Sequence, residues 1–253
     1  MVKPKKHLGQ HFLKDENIAQ KIVSSLSPNT SNLLEIGPGT GVLTKYLFNS
    51  GIKNYHVIEV DTESVNYLKK TYPEFSGHII QDDFLKFDLD LVFPESYSII
   101  GNFPYNISSQ ILFKAIENRN RVNELVGMFQ KEVADRIASP PGSKKYGILS
   151  VLVQAYFQIE YLFTVNENVF HPPPKVKSAV IRMKRNDVSA LDCNEKTFKT
   201  IVKTAFNQRR KTLRNSLKAY PFEPLEKIKF LLSQRAERLS VQDFVFLTQN
   251  LKE

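Results

Sequence analysis

Leu33-Leu34-Glu35-Ile36-Gly37-Pro38-Gly39-Thr40-Gly41 is the stretch on which the fold turns. A short apolar run breaks into a glycine-rich turn, after which Leu43, Tyr46 and Leu47 step at helical spacing until Asn49-Ser50-Gly51 stops them. This reads as strand, loop, helix, and the unit recurs outward along the chain. Tyr55-His56-Val57-Ile58-Glu59-Val60 is a second strand, with Asp61 or Thr62 capping a helix through Val65 and Leu68. His78-Ile79-Ile80-Gln81 is a third strand, closed by Asp82-Asp83. Tyr97-Ser98-Ile99-Ile100-Gly101 is a fourth, followed by Asn102-Phe103-Pro104-Tyr105 and a helix carrying Ile107, Ile111, Leu112 and Ala115. Leu125-Val126-Gly127-Met128-Phe129 is a fifth, with a helix near Lys131 to Ala138 and a polar loop over 139–147. The apolar runs at 148–157 and 178–183 read as further strands with little helix between them.

Repeated strand-helix units with short loops call for an α/β fold with a doubly wound, mostly parallel sheet, whose ligand site lies at the carboxyl ends of its strands. After Arg185 the strand signal stops. Phe198, Ile201, Val202, Ala205 and Phe206 fall on one helical face, which Arg209, Arg210, Lys211, Arg214 and Lys218 continue in basic form, and Ile228, Leu231 and Leu232 mark a further helix. The expected domains are 1–185 and a small helical one, 186–253.

Composition excludes several classes. The 253 residues are 42% hydrophobic and 24% charged, which rules out a disordered chain, and no apolar run reaches the roughly 18 residues of a membrane span. A soluble, cytoplasmic protein without membrane attachment is expected. Cys193 is the only cysteine, so an internal disulfide is impossible, and the five histidines show no ligand spacing, so no metal is expected. Charge is concentrated at the ends. Residues 1–14 carry four Lys and no acid, 15–183 carry 16 bases and 18 acids, and 184–253 carry 15 bases and 8 acids. A near-neutral body with basic ends fits a polyanion partner, nucleic acid ahead of membrane.

Two loops carry chemistry. In Gly37-x-Gly39-x-Gly41 the glycines let backbone approach a ligand, and the helix behind offers free N–H groups. The spacing lacks the last glycine of the nicotinamide-dinucleotide fingerprint. Glu59, at the end of the second strand, is placed to accept hydrogen bonds from a ribose diol, a logic that several nucleotide cofactors share. Asn102-Phe103-Pro104-Tyr105 falls at the same rim. There the Asn102 side-chain carbonyl and a backbone carbonyl freed by Pro104 are suited to accept from a planar exocyclic amine, while Tyr105 stacks on its ring.

Gly9-Gln10-His11-Phe12-Leu13, the Glu35–Gly41 loop, Asp83, Asn102-Phe103-Pro104-Tyr105, Phe129-Gln130-Lys131-Glu132-Val133, Phe170-His171-Pro172-Pro173-Pro174-Lys175-Val176 and Arg209-Arg210-Lys211-Thr212-Leu213-Arg214-Asn215-Ser216-Leu217 occur in that order over essentially the whole chain. This set resembles the small-subunit ribosomal RNA adenine dimethyltransferases, the kasugamycin-sensitivity family. The resemblance implies a seven-stranded Rossmann-like methyltransferase sheet. It implies transfer of methyl groups from S-adenosylmethionine to the exocyclic N6 amines of two adjacent adenines in a 3′-terminal hairpin of the small-subunit RNA, late in subunit assembly. It further implies that His11 and Leu13 border the cofactor, with Gly37 and Gly39 in its loop, Glu59 on the ribose and Asp83 on the adenine amine. Asn102 lies between cofactor and target, Pro104 shapes that loop, and Phe170 sandwiches the target base against Tyr105. Lys5, Lys6, Arg209, Arg210, Lys211 and Arg214 are expected on RNA phosphates, in a monomer acting on a pre-ribosomal particle. The family more often has Leu where Phe103 stands, and many members have Asn where His11 stands. Competing readings are a large-subunit RNA adenine methyltransferase of the macrolide-resistance type, a non-catalytic ribosome-assembly factor, and a nicotinamide dehydrogenase.

Overall fold

The computed structural model, which describes residues 2–252, opens with a two-residue strand, β1 (Phe12–Leu13), and helix α1 (Glu16–Val23). The Asp15 carboxylate starts α1 by accepting from the Asn17 and Ile18 amides. Then β2 (Asn32–Ile36), α2 (Thr44–Leu47), β3 (Asn54–Glu59) and α3 (Thr62–Thr71) form the first repeats, followed by β4 (Ile79–Gln81), β5 (Tyr97–Asn102), α4 (Ser108–Glu117) and β6 (Val122–Gln130). The remaining elements of this half are α5 (Lys131–Ala138), α6 (Ile148–Gln154), β7 (Phe157–Val165), β8 (Phe170–His171) and β9 (Ser178–Arg185).

Seven strands form one sheet in the order β4-β3-β2-β5-β6-β9-β7, while β1 and β8 pair separately. From β4 across to β6 every pairing is parallel, and β9 runs antiparallel to β6. β2 pairs with β3 on one side and β5 on the other, so the chain reverses its winding direction there. Such a switch point leaves a crevice outside the carboxyl ends of the two strands. Leu33 and Leu34 are neighbours in sequence and both fully buried, because helices cover both sheet faces. One core layer joins Leu33, Val57, Ile100, Val126 and Val180 of the sheet to Ala19 and Ile22 of α1 and to Val65 and Leu68 of α3.

Contacts divide the chain into two units: the residues up to Ala134 with Ile159–Arg185, and Asp135–Gln158 with the residues from Asn186 onward. The second unit thus takes in 135–158, which the sequence reading assigned to the first. The cause is α6. The run 148–157 was expected as strand, yet 148–154 is helical, with Val151 and Val153 buried and the helix packed on α7 (Glu195–Asn207) and on α10 (Val241–Gln249). An unbroken apolar run has no period of its own, so packing decides its conformation.

Helix α7 is capped by Asn194, which accepts from the Thr197 amide at 2.9 Å, and it buries Phe198, Ile201, Val202 and Ala205. It does not continue in basic form through Lys218. It ends at Asn207, and α8 (Leu213–Ser216) begins after a turn, because the Leu213 amide donates to the Gln234 carbonyl at 2.8 Å. Helices α9 (Glu226–Ser233) and α10 (Val241–Gln249) complete the unit, the latter opened by a reciprocal Ser240–Asp243 capping box. Among the described residues no helix is long and apolar enough to cross a membrane.

Candidate active site

The carboxyl ends of β2, β3 and β5, the Asp83 turn and the N-terminal arm surround one cavity of about 210 Å³. Glycine conformation shapes its floor. Gly39 has φ +56°, and a Cβ there would fall 2.8 Å from the Phe12 ring, so any other residue would be strained and would push the arm away. The loop is tied to the sheet by the Gly37 amide, which donates to the Ile58 carbonyl at 2.9 Å.

Glu59 closes the loop from the side. Its Oε2 accepts from the Gly39 amide at 3.1 Å and its Oε1 from the Asp61 amide at 2.9 Å, which leaves further lone pairs on both oxygens. Burial pushes its carboxyl above the usual range, against the pull of these amides. Beneath it, Glu35 is buried completely and accepts from Thr44 Oγ1 at 2.8 Å and from the Tyr55 hydroxyl. Burial raises the Glu35 carboxyl to about 7. Asp83 Oδ1 accepts from the Leu85 amide at 3.0 Å, and Val60 and Leu85 add apolar surface to the same wall. Val60 is 52% exposed, an apolar side chain of the kind that a planar ring would cover.

At the tip of β5, Asn102 Nδ2 donates to the His11 carbonyl at 2.9 Å. That bond orients the amide, and Asn102 Oδ1 has no partner among the described residues. Tyr105 stacks on His11 at 5.4 Å between ring centroids, and its hydroxyl is bonded to Ser178 Oγ. His11 is held in turn through Nδ1 and the Pro172 carbonyl, 2.8 Å apart. Phe103 borders the cavity but buries its ring. It is 1% exposed and lies over Gly101 and Gly127, a cross-strand pair at which added Cβ atoms would come within 2.6 and 2.1 Å of its ring. Two facing glycines thus make the notch that accepts a phenyl group.

His11, Gly37, Gly39, Glu59, Asp83, Asn102, Pro104 and Tyr105 all border this one cavity. Two expected members do not. Leu13 and Phe170 face each other in the β1–β8 pair and are 3% and 1% exposed, because that ladder turns both into the core. Leu13 reaches only a small adjoining void shared with Gly37, Gly39 and Asn102. Phe170 is therefore not in the cavity lining, and the ring stacked on Tyr105 is that of His11. Among the expected RNA contacts, Lys5 is paired with Asp61 and Glu63, and Arg209 with Glu237 at 2.9 Å and the Lys144 carbonyl. Both brace their own unit, whereas Lys6, Arg210, Lys211 and Arg214 are exposed. Sequence reasoning missed Gln10, Phe12, Val60, Leu85 and Asn106. An apolar residue directly after the strand-end acid was the one available signal, for Val60.

The residues present fit S-adenosylmethionine: backbone at the glycine loop, a carboxylate with spare acceptor capacity, and exposed apolar surface beside it. A mostly parallel sheet of this topology, with an acid at the tip of β3 and an oriented amide at the tip of β5, belongs to the S-adenosylmethionine-dependent methyltransferases. Residues 1–253 match the sequence model described as ribosomal RNA adenine dimethylase, and the chain belongs to that family. It is 56% identical to the ribosomal RNA small subunit methyltransferase A of Flavobacterium johnsoniae, across 99% of this chain and 97% of the relative. It is 54% identical to the protein of the same name from Cytophaga hutchinsonii, over 99% and 98%. A dimethyladenosine transferase from Plasmodium falciparum superposes with a TM-score of 0.78 at 27% identity, covering 94% of this chain and 96% of that one. The 23S rRNA methyltransferase ErmE shares the fold, with a TM-score of 0.71 at 23% identity over 94% and 100%.

Proposed function

We propose that this protein dimethylates the N6 amines of two adjacent adenines in a 3′-terminal hairpin of small-subunit ribosomal RNA, acting in the cytoplasm as a monomer on a pre-ribosomal particle. The relatives at 54–56% identity that are named for the small subunit support this over a large-subunit target. The observation that carries the chemistry is the Asn102 amide, pinned by the His11 carbonyl with its oxygen left to accept.

Bound S-adenosylmethionine supplies a methyl group already activated by its positive sulfur. The chain's own groups hold and align. Glu59 accepts from ribose hydroxyls, Asp83 accepts from the cofactor's adenine amine, and Val60 and Leu85 cover its ring. Asn102 Oδ1 accepts from the target amine and favours a more tetrahedral nitrogen, whose lone pair is then less delocalised into the base. Tyr105, braced by Ser178 and His11, offers a flat face to a base that has left its stack. Alignment of this kind is worth several kcal/mol of barrier.

Unmethylated small-subunit particles, purified protein and radiolabelled S-adenosylmethionine test the reading, with dimethyladenosine mapped on the RNA. Label in adjacent 3′-terminal adenines is the expected result. Label only in large-subunit RNA, or none in any RNA, overturns it. Asn102→Ala should lower transfer by about 10²–10³-fold, as loss of an oriented polar group in an active site does, while the melting temperature stays near wild type.

A further inference from the structure

We propose that a groove on the second unit seats one unstacked base of a single-stranded RNA segment. The groove encloses about 270 Å³ between α8, the 220–224 loop and α9. Leu217 and Ile228, each 1% exposed, form its apolar floor, and the half-buried rings of Tyr220 and Phe222 line it. The backbone that carries these rings is fixed. The Tyr220 amide donates to the Leu217 carbonyl at 2.9 Å, the Glu223 amide to Asn250 at 3.0 Å, and the Lys252 amide to Pro221 at 2.9 Å. Tyr220 is also tied through its hydroxyl to Thr204 Oγ1 at 3.3 Å.

Charge selects the occupant. Arg214, Lys218 and Lys229 border the groove against one acid, Glu223. Lys229 is paired with Glu226, but Arg214 and Lys218 are exposed and have no acidic partner among the described residues. The unit as a whole holds 16 Lys and Arg against 9 Asp and Glu, a net +7. Aromatic faces between cations are the arrangement that takes a base by stacking and its phosphates by charge. A paired base keeps its faces covered, so the ligand is single-stranded. This inference rests on the reading that the second unit meets RNA.

The full chain is titrated with a single-stranded RNA octamer carrying one 2-aminopurine, and with the same octamer in a duplex. Wild type should prefer the single strand and quench its fluorescence on binding. Phe222→Ala should abolish the quench and weaken binding roughly tenfold, and Lys218→Glu should weaken binding with an unchanged melting temperature. If both variants bind and quench like wild type while Arg210→Ala/Lys211→Ala is weakened, the groove is wrong and the RNA surface of this unit lies at the α7–α8 turn. If no variant of the unit weakens binding, the groove and the RNA-binding reading of the unit both fall. Equal quenching by the duplex also overturns the groove.

Discussion

Glu59 and Glu35 are two buried carboxylates within one loop's reach, and their partners give them different work. Glu59 is wrapped by backbone amides and borders the cavity, with acceptor capacity left over on that side. Removing it strands the partners it satisfies, and Glu59→Ala should weaken S-adenosylmethionine binding by about 1–3 kcal/mol in calorimetry. Tight binding of a nicotinamide dinucleotide with no response to S-adenosylmethionine would contradict the cofactor assignment. Glu35 holds Thr44 and Tyr55 beneath the loop, and burial raises it to about 7 from an ordinary 4.5. The folded state therefore binds this proton more tightly than the unfolded chain. Its contribution is fully present below about pH 4.5, is lost as pH rises toward 7, and is level above that. Guanidinium unfolding of wild type and Glu35→Gln should show a stability difference that moves against wild type by on the order of 3 kcal/mol between pH 4.5 and 8. Parallel pH curves would mean that Glu35 stays charged in the fold.

At the scale of elements, the rim of the sheet is set by how β5 and β6 meet. Gly101 and Gly127 are opposite each other in register, and the Phe103 ring occupies the space that their missing side chains leave. That ring locks the turn which presents Asn102 on one side and Pro104 and Tyr105 on the other. Gly127→Ala would place a methyl group within 2.1 Å of the ring, and overpacking of this kind costs about 1–3 kcal/mol. Urea unfolding should show that loss, and a second change, Phe103→Leu, should recover part of it because the two sites share one space. Additive losses would show that the ring and the glycine do not meet. The N-terminal arm works the same way. Lys5 on Asp61, the His11 carbonyl on Asn102 and the β1–β8 pair hold it as a wall of the site.

For the whole molecule, charge is divided as the structure divides the chain. The unit with the cavity carries 19 Lys and Arg against 17 Asp and Glu, close to neutral, while the other unit is at +7. The cavity and the excess of positive charge thus fall in different units of the chain. Arg210 and Lys211, which are exposed, should carry phosphate contacts that Arg209, bonded to Glu237, does not. Arg210→Ala/Lys211→Ala should flatten the salt dependence of RNA binding by about 0.7–0.9 per lost contact and leave cofactor affinity unchanged. An unaltered slope in a filter-binding series would move the RNA surface elsewhere.

The alternation of strands and helices, the glycine loop, Glu59, Asp83 and Asn102-Phe103-Pro104-Tyr105 were all legible in the sequence, because each is encoded by local patterns: short apolar runs, glycine spacing, residues at strand ends. Even the meeting of these loops followed, since parallel strands bring their carboxyl ends to one rim. Tertiary structure alone decided where Leu13, Phe170, Lys5 and Arg209 sit and what they touch. Nothing local reveals that Leu13 and Phe170 pair across more than half the chain and so turn inward, or that two of the lysine and arginine charges are already matched by acids distant in sequence. The same holds for 148–154, apolar throughout, whose helix exists because α7 and α10 pack on it. Period and spacing are properties of a segment, whereas burial and ion pairing belong to pairs of segments, and only the folded chain contains the pairs.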